Sequence, residues 1–227
     1  MRVVSLVPSA TETLLAWGVT PVACTRFCEQ PDLLHVGGTK DPDVAAIVAM
    51  APDLVLVDEE ENRREDYDAL IAAGVSVHAL AIRSVSDVSP ALGVLASVLA
   101  VDVAPGAAQS TSRSLELRAF VPIWRRPWMT IYGDTYGSSV LESIGVANVF
   151  ADDAARYPET TLAAAAALNP DVVLAPSEPY PFTERQRAEL ETVAPVVFVD
   201  GKDMFWWGAR TPDALERLRV AVSRGRA

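Results

Sequence analysis

The strongest constraint on the fold is a strand-and-helix pattern that occurs in both halves of the chain. Residues 2–18 are typical of a buried strand, a turn at Pro8-Ser9, and a helix that Gly18 ends. A second apolar strand follows a Pro-Asp pair at 52–57, and a matching Pro-Asp strand occurs at 170–175. Because strands alternate with helices throughout, the sequence predicts an α/β fold with parallel sheets covered by helices.

The second half of the chain is predicted to repeat the first, which gives two similar lobes. A strand at 129–132, a turn at 133–137 and a helix that ends at Gly145 correspond to the opening stretch. A polar segment at 105–120 has weak apolar periodicity and is predicted to be a helix that links the lobes. The expected parts are an N-terminal α/β lobe at 1–84, a linking helical segment at 85–124 and a C-terminal α/β lobe at 125–227.

Composition narrows the class of protein. The chain has 227 residues and a formal net charge of −11, which argues against a nucleic-acid partner because phosphate binding needs a basic surface. No segment is long and apolar enough to span a membrane, and no long apolar leader precedes the first strand. We therefore expect a cytoplasmic monomer, or a periplasmic or cell-surface protein if a signal segment has been removed.

Candidate site residues follow from the geometry of parallel sheets, whose ligands bind beyond the carboxyl ends of the strands. The ligand-binding candidates in these positions are Ser9, Phe27, Cys28, Asp58, Tyr132, Asp134, Tyr136, Tyr180, Trp206, Trp207 and Arg210. Two structural alternatives stay open. Ser9 is also predicted to cap the first helix in a capping box with Glu12, and the Trp206-Trp207 pair can pack against the last helix.

Cys28 and His35 are candidate metal ligands, in a loop long enough to suggest a function. Their spacing with Cys24 matches no strong zinc pattern, and a buried small hydrophobe is the alternative for Cys24. Together with Asp134, they support a second hypothesis, in which the protein is a cytoplasmic metal-linked enzyme or sensor. The sequence contains neither a serine-nucleophile motif nor a nucleotide-binding glycine motif.

Three motifs resemble a known protein family. They are the opening Arg-Val-Val-Ser-Leu-Val-Pro-Ser-Ala-Thr-Glu, the Val-Gly-Gly-Thr-Lys-Asp-Pro-Asp stretch at 36–43, and the Pro-Asp strand at 52–57. They are similar to the helical-backbone metal receptor superfamily, the substrate-binding proteins of ABC importers for iron-siderophores and cobalamin, and most similar in pattern to the cobalamin binders. The resemblance implies a fold like that of class III periplasmic binding proteins, with two lobes, a linking α-helix and a shallow cleft for a flat metal chelate.

The same resemblance implies a non-catalytic function and no intrinsic cofactor. The implied ligand is cobalamin, another corrinoid or a ferric chelate, and the implied protein partner is an importer permease. The cleft residues that carry over are Ser9, Phe27, Asp58, Tyr132, Tyr136, Trp206 and Trp207. Aromatic residues suit this task because a macrocycle presents apolar faces with a polar rim. One departure is Asp58, which begins an acidic run where the cobalamin binders present an aromatic side chain.

Overall fold

The computed structural model describes residues 1–102, 115–153 and 155–225. These residues form two compact units, each built around its own parallel sheet with helices against it. This arrangement confirms the predicted α/β fold class. Of the described residues, unit 1 comprises 1–82, 88–102 and 207–209, and unit 2 comprises 83–87, 115–153, 155–206 and 210–225.

Unit 1 contains a five-stranded sheet in which all strands run parallel. Its strands are β1 (Val3–Ser5), β2 (Ala23–Cys24), β3 (Leu34–His35), β4 (Leu54–Asp58) and β5 (Val77–Leu80). Its helices are α1 (Pro8–Ala16), α2 (Val44–Ala49), α3 (Arg64–Ala72) and most of α4 (Val85–Leu99), together with a short 3₁₀ helix at Arg26–Cys28. The strand order is β3-β2-β1-β4-β5, and the central strands β1 and β4 are buried along their whole length, as expected for parallel strands covered on both faces.

Unit 2 contains a parallel sheet and a smaller antiparallel one. Its strands are β6 (Leu117–Phe120), β7 (Pro122–Trp124), β8 (Trp128–Thr130), β9 (Val146–Asn148), β10 (Glu159–Thr160), β11 (Val172–Pro176) and β12 (Val196–Val199). Its helices are α5 (Tyr136–Ser143), α6 (Leu162–Ala167), α7 (Arg187–Leu190), α8 (Gly201–Phe205) and α9 (Thr211–Arg224), with a 3₁₀ helix at Glu184–Gln186. The parallel sheet has the order β12-β11-β6-β9, and β10-β8-β7 form the antiparallel sheet. No helix in the described ranges is both long and apolar enough to cross a membrane.

The two Pro-Asp motifs start equivalent strands in the two units. Asp53 Oδ2 accepts a hydrogen bond from the backbone amide of Arg2 (2.6 Å), and Asp171 Oδ2 accepts one from the amide of Arg118 (2.8 Å). The amides of the two aspartates donate in turn to the carbonyls of the same two arginines, at 2.9 and 2.8 Å. Each motif thus ties the start of one central strand to its parallel neighbour, so β6 is the counterpart of β1.

This equivalence corrects the predicted repeat. The second-half counterpart of β1 lies at 117–120. The strand predicted at 129–132 corresponds instead to β8, which pairs with β7 and β10 in the antiparallel sheet. A helix was predicted at 105–120, but residues 117–120 form the strand β6, so the prediction is wrong there. Residues 103–114 lie outside the described part of the chain. Leu117, Ala119 and Phe120 are buried in the sheet, and this burial outweighs the polar character of the preceding sequence.

The two predicted glycine helix stops occur in the structure, whereas the predicted N-terminal capping box does not. Gly18 and Gly145 follow α1 and α5 with φ values of +74° and +76°, which confirms both glycine stops. The capping box predicted for Ser9 is wrong, because α1 begins at Pro8 with Val7 as its N-cap and without a side-chain cap. Proline suits this first position, since its ring fixes a helical φ and its missing N–H would have no partner there. The domain boundaries expected at residues 84 and 124 stay a prediction.

Candidate functional site

The carboxyl edge of the unit 1 sheet is held together by the glycine-containing motif that follows β3. Lys40 Nζ donates a hydrogen bond to the carbonyl of Glu60 (2.6 Å). Asn62 Nδ2 donates to the carbonyls of Thr39 (2.9 Å) and Leu6 (3.2 Å). Lys40 and Thr39 of the motif therefore hold the turn after β4 in place. Asn62 in that turn also links it to the start of the β1–α1 connection.

Asp58 ends β4 and is only 2% exposed. Its Oδ1 accepts hydrogen bonds from the amides of Glu60 (2.9 Å) and Glu61 (3.3 Å), whereas Oδ2 makes no hydrogen bond of ordinary geometry with any residue in the described part. Burial raises the pKa of Asp58 to about 6, although the nearby amides of Glu60, Glu61 and Ile82 act in the opposite direction. A buried carboxylate with a raised pKa is costly to ionise, and such groups are frequent at functional positions.

The two other unit 1 candidates near this edge differ in exposure. Ser9 is fully buried in the first turn of α1, and its Oγ also has no hydrogen-bond partner among the described residues. Phe27 is 50% exposed, and the guanidinium carbon of Arg26 lies 4.8 Å from the centre of its ring. Arg26 is held in turn by Asp41, whose two carboxylate oxygens accept hydrogen bonds of 2.9 and 3.0 Å. Unit 1 thus presents an exposed aromatic ring that an ion pair supports.

The predicted metal ligands Cys28 and His35 lie in different environments, and their role in metal binding stays a prediction. Cys28 is buried, accepts a hydrogen bond from the Thr11 hydroxyl (3.2 Å) and lies 3.2 Å from Thr25 Oγ1. His35 is exposed, with Nε2 3.0 Å from a backbone carbonyl. Within the described ranges, no three His, Cys, Asp or Glu side chains converge as ligands would. Burial and the adjacent Cys28 raise the pKa of Cys24 to about 12, which keeps that thiol protonated.

Trp207 belongs to unit 1, although it follows α8 in the sequence. Its indole is buried, and the next residue, Gly208, adopts a φ of +126° where it packs against Thr13 of α1. The amide of Ala209 donates to Thr13 Oγ1 (3.2 Å), and this hydroxyl donates to the carbonyl of Ser9 (2.9 Å). This environment favours the packing alternative for Trp207 that the sequence left open.

Trp206 lies among charged side chains of unit 2. Lys202 Nζ and the guanidinium carbon of Arg210 lie 5.0 and 5.7 Å from its ring centre. Arg210 donates a hydrogen bond to the buried carboxylate of Asp203 (3.0 Å), and Arg217 donates to both oxygens of that group (2.7 and 2.8 Å). The half-buried indole is therefore held by two cation–π contacts and can meet an aromatic or apolar ligand surface.

The remaining candidates, in the turn before α5 and at its first residue, have different environments. Tyr136 is buried, its hydroxyl lies 2.9 Å from Thr211 Oγ1, and burial raises its pKa to about 12. Asp134 is exposed and forms an ion pair with Arg83 (3.5 Å). Tyr132 is half-buried, and its carbonyl accepts hydrogen bonds from two hydroxyl side chains. Of these three, Tyr132 and Asp134 reach solvent, whereas Tyr136 packs against the start of α9.

Unit 2 contains an aromatic stack that was not predicted. Its members are Trp124, Trp128, Tyr180 and Phe182, of which only Tyr180 was a predicted site residue. The Trp124 and Tyr180 rings meet edge to face at 5.8 Å, Tyr180 and Phe182 are 4.7 Å apart, and Phe182 lies parallel to Trp128 at 6.0 Å. Trp124 is 46% exposed. The sequence signal that could have revealed it is the pair of tryptophans around Arg125-Arg126-Pro127, directly after a strand.

Sequence comparison finds relatives of moderate similarity. No protein-family model matches the chain. It is 26% identical over 192 residues to the vitamin B12-binding protein of Salmonella choleraesuis (strain SC-B67), covering 76% of this chain and 71% of the relative. It is 27% identical over 191 residues to the vitamin B12-binding protein of Yersinia pestis (strain Pestoides F), covering 76% and 68%.

Structural comparison extends the likeness to nearly the whole chain. The periplasmic vitamin B12-binding protein BtuF of Vibrio cholerae matches with a TM-score of 0.79 at 19% identity, covering 99% of this chain and 97% of that one. The periplasmic heme-binding protein RhuT from Roseiflexus sp. RS-1 matches with a TM-score of 0.80 at 19% identity, covering 100% and 99%. At these identities the structures establish a shared fold, and both comparisons agree with the resemblance that the three motifs carry.

Proposed function

We propose that this chain, which belongs to the helical-backbone metal receptor superfamily of substrate-binding proteins, binds a flat metal chelate without catalysing a reaction on it. The observation that carries the proposal is the presence of accessible aromatic rings at the carboxyl edge of the parallel sheet in each unit. These are Phe27 in unit 1 and Trp206 and Tyr180 in unit 2. Aromatic rings beside polar groups match a ligand with apolar faces and a polar rim.

A corrinoid is the ligand class that we propose to test first, because the relatives found by sequence include vitamin B12-binding proteins. Heme and ferric siderophores come next, since proteins with the same fold include heme binders. The buried carboxylate of Asp58 also favours a corrinoid over heme. Its buried oxygen, if uncovered, would accept a hydrogen bond from an amide N–H and would repel a carboxylate, and a corrinoid carries amides around its rim where heme carries carboxylates.

Delivery of the chelate to an ABC importer permease is the corresponding biological role in this proposal. Similar solved structures are described as periplasmic proteins, so the proposal places the ligand-binding step on the outer side of the inner membrane. Fractionation of cells and co-purification with a membrane permease test this part. Recovery of the protein only from the cytoplasmic fraction would instead support the cytoplasmic location expected from the sequence.

The binding proposal itself is tested by titrating the purified protein with cyanocobalamin, dicyanocobinamide, hemin and a ferric hydroxamate. The chain contains five tryptophans, so bound chelate should quench its intrinsic fluorescence in a saturable manner. N-acetyltryptophanamide, titrated in parallel, corrects for light absorbed by the chelate. Saturation at one chelate per chain supports the proposal, and the absence of a saturable signal with every chelate contradicts it.

A further inference from the structure

The geometry points to Trp124 as a residue that stacks on the flat face of the chelate in unit 2, an inference that rests on the proposed function. Trp124 was not among the predicted site residues, and its role follows from how the rings around it are arranged. Exposure alone would not single it out, because scattered exposed hydrophobic residues are normal on protein surfaces.

The first argument is that Trp124 is supported by a chain of ring contacts. Tyr180 meets its indole edge to face, at an interplanar angle of 78°. Tyr180 packs against Phe182, and Phe182 lies within 7° of parallel to Trp128. Phe182 is only 4% exposed, which anchors the stack in the hydrophobic core of unit 2. An aromatic side chain supported in this way loses little conformational freedom when it binds a ligand.

The second argument is the position of the stack in the fold. Trp124 ends β7, which follows β6 after a single residue, and Tyr180 follows the carboxyl end of β11. β6 and β11 are neighbouring parallel strands in the sheet of unit 2. Both rings therefore come from segments that leave the carboxyl ends of two adjacent strands, the place where ligands of parallel α/β sheets bind.

The third argument is charge. Arg125 lies beside the stack, with its guanidinium carbon 6.0 Å from the ring of Trp128, and its Nε donates a hydrogen bond to Glu189 Oε2 (2.9 Å). Glu189 therefore balances the charge of Arg125, whereas the neighbouring Arg126 is exposed to solvent. A neutral, rigid indole fits the apolar face of a metal macrocycle, whose metal-bound ring is electron-poor and is attracted by the negative face of an aromatic ring.

The test compares Trp124→Ala and Trp124→Phe with Trp17→Phe, in titrations with dicyanocobinamide and with hemin. Trp17 is the control tryptophan, because it follows the carboxyl-terminal end of α1 in unit 1 and is not a member of the aromatic stack. Loss of the indole should raise Kd about tenfold in Trp124→Ala, whereas Trp124→Phe should raise it about threefold, because aromatic stacking contributes roughly this much beyond simple burial. Trp17→Phe should bind like the wild type.

A second measurement does not depend on the folding of a variant. Hydroxyl-radical footprinting of the wild-type protein, read by mass spectrometry, should show that bound chelate lowers oxidation of Trp124 and leaves Trp17 unchanged. If the wild type binds a chelate while Trp124 is neither protected nor needed for affinity, the inference is overturned and the proposed function stands. If the wild type binds none of the chelates, both fail.

Discussion

Replacement of Asp58 by asparagine should stabilise the folded protein at neutral pH. The side chain is 2% exposed, and burial raises its pKa from an ordinary 3.8 to about 6. The folded state therefore retains a proton on Asp58 over a pH range in which the unfolded chain has lost it. Asparagine keeps an oxygen that can accept the two amide hydrogen bonds now made to Oδ1, but it does not place a negative charge in this environment.

The sign and the size of the effect follow from the same pKa. Because the folded-state pKa lies above the unfolded one, the contribution of Asp58 to stability is greatest below about pH 4 and falls as the pH rises through about 6. A pKa that rises from 3.8 to about 6 corresponds to about 3 kcal/mol, since each pKa unit is worth about 1.36 kcal/mol. The Asn variant should therefore gain up to about 3 kcal/mol relative to wild type between pH 4 and pH 7.5.

Urea unfolding at several pH values, followed by circular dichroism, measures this difference. The difference between wild type and Asp58→Asn at each pH isolates the one carboxyl group, because the other titrating groups are common to both proteins. Asp152→Asn, at an exposed position, is the matched control and should show no comparable pH-dependent difference. The reasoning is refuted if the difference is independent of pH, or if the wild type gains stability relative to the variant as the pH rises.

Two substitutions and one labelling experiment test other parts of the structure. Asp171→Ala should lower the free energy of unfolding by about 1 kcal/mol in denaturant titrations, because it removes the hydrogen bond that ties β11 to the start of β6; an unchanged value would contradict that role. Gly208→Ala should cost about 1–3 kcal/mol in the same assay, because its new Cβ would overlap the hydroxyl of Thr13; unchanged stability would show that this contact is not tight. Cys24 and Cys28 should both react with Ellman's reagent only when the protein unfolds, and fast labelling of the native protein would contradict their burial.

The sequence predicted those parts of the fold whose signals are local. The Pro-Asp strands β4 and β11 are apolar apart from Asp58 at the end of β4, and they are buried along their full length. The helix stops at Gly18 and Gly145 depend on a single left-handed residue each, which glycine adopts without strain. Such features can be recognised within a few residues, so no knowledge of the rest of the chain was needed.

The features that the sequence did not predict depend on contacts between distant residues. The strand β6 is defined by its pairing with β11, which brings Arg118 and Asp171 together across more than fifty residues. The aromatic stack likewise joins Trp124 to Tyr180, which come from separate segments of unit 2. Trp206 and Trp207 were both predicted to bind ligand because they are adjacent aromatic residues, but Trp207 packs in unit 1 and is buried. Composition and spacing do not encode which of two adjacent indoles reaches solvent.

The central claim is that the protein binds a flat metal chelate, and isothermal titration calorimetry of the purified full chain tests it most directly. Dicyanocobinamide, hemin and a ferric hydroxamate are each titrated into the protein under identical conditions. The account predicts a saturable heat signal with one bound ligand per chain for at least one of these chelates. Titrations that show only the heat of dilution for all three would contradict it.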